Sequence, residues 1–144
     1  MSGHTFSIGL ENMVVRSVTR DYVGKGCNLE LLADSIEEHF QIEKYEVQSS
    51  KGEGGWVIQA KKSGFFRDLL AADRAFTVTV TGDPSNFKVS FGIGKWTQNI
   101  GMAVLEGIAL WPVLFFVEVP ISLWSYEIER GFWGYVEQKV ELKV

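Results

Sequence analysis

Cysteine, histidine and proline are all scarce in this chain, which has one, two and three of them among 144 residues. With Cys27 alone no intrachain disulfide can form, and a reducing compartment is the simpler expectation. His4 and His39 stand far apart, so a histidine-based metal site has no ligand set. Asp34, Glu37 and Glu38 lie close together on a helical stretch with no second ligand type beside them, and they read as a solvated face. Basic charge is also in deficit. The formal net charge of -4 argues against broad phosphate-backbone binding, which draws its affinity from clustered Lys and Arg, so nucleic acid is not an expected partner. Residues Met1 to Ile8 hold no basic segment leading into an apolar one, so no secretory leader is expected. The expected location is cytoplasmic, or at the inner face of a membrane.

Charge is scarcest between Trp96 and Tyr126, where only Glu106 and Glu118 carry it. The run Gly107 to Val117 between them is too long for an ordinary strand and too short to span a bilayer unaided. Asn99 is placed to cap a helix through Ile100, Val104, Leu105, Ile108, Leu110 and Val113 to Val117. Pro112, which has no N–H to donate, should kink it. Pro120 should open a second, amphipathic helix, with Ile121, Trp124, Ile128, Phe132, Val136 and Val140 on one face and Glu129, Arg130, Glu137, Lys139 and Lys143 away from it. For membrane insertion, about ten Leu, Ile, Val or Phe residues between Ile100 and Val119 contribute about -4 to -5 kcal/mol. A carboxylate near the centre returns about +2.5 to +3.5. Spanning is therefore only weakly favoured.

The rest of the composition is that of a globular protein, 46% hydrophobic and 22% charged, and the length fits one domain with a real core. Met13 to Val23 is β-branched with an ambiguous inward face, since Val14, Val18 and Tyr22 share parity with Arg16 and Arg20. An edge strand would account for that. Gly24-Lys25-Gly26 breaks it, and Asn28 is an N-cap for a helix to about Phe40 with Leu29, Leu32, Ala33, Ile36 and Phe40 inward. Two hairpins follow. Tyr45, Val47 and Ser49 return through Lys51 to Gly55 into Trp56, Ile58 and Ala60. Phe76, Val78 and Val80 alternate with Thr77, Thr79 and Thr81, turn at Gly82 to Asn86, and continue as Phe87, Val89, Phe91 and Ile93. The expected fold class is α+β: an antiparallel sheet of about five strands with one packed helix, formed by residues 1–95. A kinked hydrophobic helix and an amphipathic helix over residues 96–144 pack with it or assemble through it.

Catalytic chemistry is poorly supplied. Cys27 precedes a helix N-terminus, where a thiol pKa can fall. His39 sits at the other end of that helix, about 15 Å or more away at 1.5 Å per residue, too far for direct proton transfer. Gly24-Lys25-Gly26 and Gly92-Ile93-Gly94-Lys95 lack the Ser or Thr and the spacing of a phosphate loop. No enzyme, catalytic residue, metal or cofactor is expected.

Three fates remain for the apolar stretch: a core helix, a membrane-associated segment, or an assembly surface between copies, with a lipid- or quinone-like molecule held in an apolar lumen. As a membrane or assembly surface it would present Trp111, Leu114, Phe115, Phe116 and Trp124. The short segment between the hairpins adds a candidate interfacial cluster of Lys61, Lys62, Phe65, Phe66 and Arg67, basic and aromatic side by side as membrane-surface docking requires. The sequence Phe65-Phe66-Arg67-Asp68-Leu69-Leu70, the alternating strands, Gly94-Lys95-Trp96 and a hydrophobic segment with Trp111-Pro112 resemble a group of small uncharacterised bacterial and archaeal proteins. The likeness covers about residues 40 to 140 and implies an α+β domain followed by a hydrophobic helical segment. Members of that group often carry fewer acidic residues there than Glu106 and Glu118 provide. The expected function is a non-catalytic membrane-associating or self-assembling scaffold or adaptor, partnered by a membrane surface, by its own copies or by a larger complex. The alternative is a carrier for a lipophilic small molecule.

Overall fold

A computed structural model of the chain describes residues 3–9, 14–62, 74–98, 100–101 and 116–142. Its elements run β1 (Gly3–Gly9), β2 (Val14–Val23), α1 (Leu29–Ile42), β3 (Glu46–Gly52), β4 (Gly55–Lys61), β5 (Arg74–Asp83), β6 (Asn86–Lys95), a short β7 (Val119–Pro120), a 3-10 turn (Ile121–Leu123) and α2 (Tyr126–Glu141). The fold is α+β. Its antiparallel sheet has the lateral order β1-β2-β6-β5-β4-β3, with β7 added beside β2. The five strands read from sequence form its contiguous part, and β1 and β7 bring the total to seven. The expected kinked apolar helix falls mostly on residues 102–115, outside the described residues.

The edge position expected for β2 is wrong. It lies between β1 and β6, and His4 of β1 stands in register with Arg20. The mixed parity of β2 has another cause. Val18 and Tyr22 are fully buried on the helix-bearing face, and Arg20 shares that face because it pairs with Glu137 of α2 at 2.7 Å.

Pairing registers set the two faces. One row runs Val18, Phe91, Val78, Ile58 across four strands, and each of these side chains is buried beneath the helical layer. α1 starts where Asn28 Oδ1 accepts from Leu31 N at 3.1 Å, and it buries Leu29, Leu32, Ala33, Ile36 and Phe40. α2 starts later than Pro120 implied. Val119–Pro120 is drawn into the sheet against Val14 and Val15, Pro120 caps the 3-10 turn, and the Ser125 hydroxyl accepts from Ile128 N at the head of α2. Ile121 and Trp124 therefore precede the helix. Phe132, Trp133, Val136 and Val140 form its buried stripe and join the same core as α1 and the sheet.

At the centre of that core four phenylalanine rings close a cycle of near-parallel contacts: Phe40 to Phe76 at 6.4 Å, Phe76 to Phe91 at 5.4 Å, Phe91 to Phe132 at 4.6 Å and Phe132 back to Phe40 at 6.1 Å. Each ring comes from a different element, so the cycle ties both helices to both central strands.

The opposite face is polar yet covered. Gln59 and Thr77 have no exposed surface and Thr79 has 6%. The Gln59 amide donates to Thr77 Oγ1 at 3.1 Å and to the Lys95 carbonyl at 2.9 Å. Its oxygen accepts from Gln48 Nε2 at 2.9 Å and from Thr97 N at 3.0 Å. A buried amide costs little only when its donors and acceptor are all used, and here they are.

Candidate functional site

Four strands meet at one end of the sheet: β3 begins there, β4 ends, β5 begins opposite the last residue of β6, and the chain leaves at Lys62 and rejoins at Arg74. This end collects Lys44, Lys61, Lys62, Arg74 and Lys95, with Glu43 and Glu46 among them. Two of its lysines lie over aromatic rings. Lys61 Nζ lies 4.4 Å from the Trp96 ring centroid on the polar face. Lys62 Nζ lies 5.2 Å from the Tyr45 centroid on the helix face and donates to the Glu43 carbonyl at 3.2 Å. Successive residues of a strand point to opposite faces, so adjacent lysines at the end of β4 supply a cation–π pair to each side. Phe65, Phe66 and Arg67 belong to the connection between Lys62 and Arg74 and lie outside the described residues, as do Trp111, Leu114 and Phe115.

The other two residues offered as a membrane or assembly surface are corrected. Phe116 is 4% exposed and Trp124 6%. Trp124 is packed edge-on against Phe91 at 6.0 Å and its indole donates to Glu129 Oε1 at 2.7 Å. Trp124 belongs to the core cluster of the fold. Among the described residues no helix is long and apolar enough to cross a membrane.

Beside the lysine-rich end, α1 and α2 part to leave a cleft of about 300 Å³ lined by His39, Phe40, Tyr45, Lys62, Ile128 and Phe132, with Glu43 and Glu127 at its mouth. His39 packs against the Tyr135 ring at 4.5 Å. Burial disfavours its charged form and lowers its pKa, with Glu43 pulling the other way. A histidine whose folded pKa is depressed stabilises the protein above the unfolded value near 6.5, and that stability is lost as pH falls through the folded pKa. The urea midpoint of the wild type should therefore drop further between pH 7.5 and 5.5 than that of His39→Gln, and equal drops would show that His39 titrates alike in both states.

A second cleft, about 520 Å³, opens between β2 and α2. Arg20 and Glu137 meet there, Tyr22 Oη donates to the same Glu137 oxygen at 3.0 Å, and the Arg20 guanidinium lies 4.6 Å from the Trp133 centroid. Burial, then the Glu137 charge, raises the Tyr22 pKa. Glu129, expected away from the buried face, is 6% exposed. Spacing held the signal, since Glu129, Phe132, Val136 and Val140 repeat at helical intervals and place the carboxylate on the inward stripe.

Cys27 and the two glycine-rich stretches lie within the framework of the fold. Cys27 is 1% exposed, with its thiol 3.7 Å from the Val140 carbonyl. The Gly24-Lys25-Gly26 turn spends its flanking amides on the neighbouring hairpin: Gly24 N donates to the Ser85 carbonyl at 2.7 Å and Cys27 N to that of Pro84 at 3.2 Å. Gly92 to Lys95 lies within β6. Among the described residues no group of three or more His, Cys, Asp and Glu is placed to hold a metal ion.

Fold and surface together define an α+β module with a lysine-and-aromatic sheet end. No family model, curated protein or solved structure matches the chain.

Proposed function

We propose that this protein is a non-catalytic membrane-associating module, of scaffold or adaptor type, acting at the inner face of a membrane, and that it docks through the lysine-rich end of its sheet. The observation that carries this reading is the pairing of Lys61 with Trp96 and Lys62 with Tyr45 at the point of the chain from which the connection holding Phe65, Phe66 and Arg67 departs. Amphipathic aromatics and lysines favour the headgroup layer, where each basic residue near an anionic surface contributes about 1 kcal/mol. In this reading the phenylalanines of that connection enter the acyl boundary, and the apolar sequence of residues 102–115, kinked at Pro112, adds contact or a self-assembly surface. Glu43 and Glu46 limit the attraction, so binding is weak and reversible for one copy, and assembly of copies would raise it.

The test is co-sedimentation with phosphatidylcholine vesicles with and without phosphatidylserine. Lys61→Glu with Lys62→Glu should weaken binding to the anionic vesicles about tenfold or more while the circular dichroism spectrum is retained. Binding that is absent from the wild type, or unchanged by the double reversal, would overturn the proposal. The cleft beside Lys62 favours a second reading, a carrier that holds a lipophilic molecule between the helix ends. Lipid retained through detergent-free purification and seen by native mass spectrometry would support it.

A further inference from the structure

The cleft between β2 and α2 has a composition that the membrane reading leaves unused. Tyr126, Glu129, Arg130 and Trp133 follow one another at helical spacing along α2, and Arg20 faces them from β2. Glu129 is the feature that needs a reason. A carboxylate carries about four acceptor positions, and among the described residues its side-chain hydrogen bond is the one from Trp124 to Oε1. It nevertheless sits at 6% exposure on the wall of an open cleft. A glutamine could also accept from the Trp124 indole, without the added strength of a charged acceptor or the favourable place of an acidic residue in the first turn of α2.

We infer that this cleft binds a small organic cation, a primary ammonium on a flat apolar body, with Glu129 as its counter-charge and Tyr126 and Trp133 as its walls. The charges in the cleft support that sign. Arg20 is already neutralised by Glu137 at 2.7 Å, and Arg130 is exposed at the rim, so Glu129 is the buried charge that a ligand meets. Tyr126, 46% exposed, offers the cleft its open aromatic wall, and Trp133 lines it from within, 2% exposed and with the Arg20 guanidinium 4.6 Å from its ring. A volume of about 520 Å³ lies within the usual range for small-ligand sites. An anion would have to approach the buried carboxylate and is disfavoured.

The experiment titrates the full chain with phenethylammonium, using phenylacetate and 2-phenylethanol as anionic and neutral isosteres, and follows the tryptophan indole N–H resonances by NMR. The expected result is saturable movement of the Trp133 and Trp124 signals with the ammonium, and at least tenfold weaker binding of both isosteres, as a charge-assisted hydrogen bond predicts. Glu129→Gln keeps an acceptor for Trp124 and should weaken ammonium binding tenfold or more. Tyr126→Ala alters an exposed wall without touching the Trp124 contact, and should weaken it about threefold or more. No saturable movement, equal affinity for all three probes, or unchanged affinity in both variants would overturn the inference.

Discussion

Phe91→Ala is expected to remove about 3–5 kcal/mol of stability, seen as a fall of about 2 M in the urea midpoint at unchanged slope. Phe91 has no exposed surface and touches Phe76, Phe132 and Trp124 at ring separations of 5.4, 4.6 and 6.0 Å. Its loss empties the junction of β5, β6, α2 and the turn before α2. Domains of this kind hold only about 5–15 kcal/mol in all, so the variant should sit close to its unfolding threshold at room temperature. Phe91→Leu keeps most of the apolar volume and should cost about 1 kcal/mol. Equally small losses for the two variants would mean that ring contacts contribute little and that the site collapses around either replacement, whereas equally large ones would assign the loss to the aromatic ring itself.

How much of this core was legible in the sequence depends on the kind of signal. Period-two alternation placed Phe76 and Phe91 on one face of their strands, and the helical stripes placed Phe40 and Phe132 inward. Each assignment needed only local spacing. That the four rings meet was not readable, because it depends on the lateral order of the strands and on both helices choosing the same face. β1 was missed although Phe6 and Ile8 alternate with Thr5 and Ser7, a period-two signal in a stretch read only for a leader. The edge assignment of β2 failed for a different reason. A charged residue on the inward face looks like an exposed edge until its partner is known, and Glu137 is 117 residues away.

The candidate sites were less legible. Lys61 and Lys62 were readable as a basic pair, but their ring partners come from just past the end of β6 and from just before β3. Trp124 was read as part of an outward surface because an apolar segment in sequence does not say which of its aromatics the fold itself consumes. Glu129 was read as solvated because carboxylates are seldom fully buried. The structure reverses both assignments with one hydrogen bond, the Trp124 indole to Glu129 Oε1 at 2.7 Å.

Gly82→Ala is expected to cost about 2–5 kcal/mol, the sum of backbone strain and overpacking. Gly82 has φ +114°, a region side chains rarely adopt, and an added Cβ would press on the Asn86 carbonyl and on the Phe87 backbone across the hairpin. Both can yield only by shifting the pairing of Gly82 with Phe87 and of Asp83 with Asn86. Asp83 Oδ1 holds that turn through Ser85 N and Asn86 N, each at 3.0 Å, and Gly82 N also donates to the Gly54 carbonyl at 3.1 Å. The strain therefore reaches the neighbouring hairpin and, through Ser85 and Pro84, the turn before α1. Gly24 separates the two causes. It too has positive φ, +74°, but a Cβ there would meet nothing within 4 Å, so Gly24→Ala should cost only about 1–2 kcal/mol. Urea midpoints of the two variants give the comparison. A clearly larger loss at position 82 assigns the excess to the clash with the hairpin backbone, whereas equal losses would mean that backbone conformation alone selects glycine at both turns.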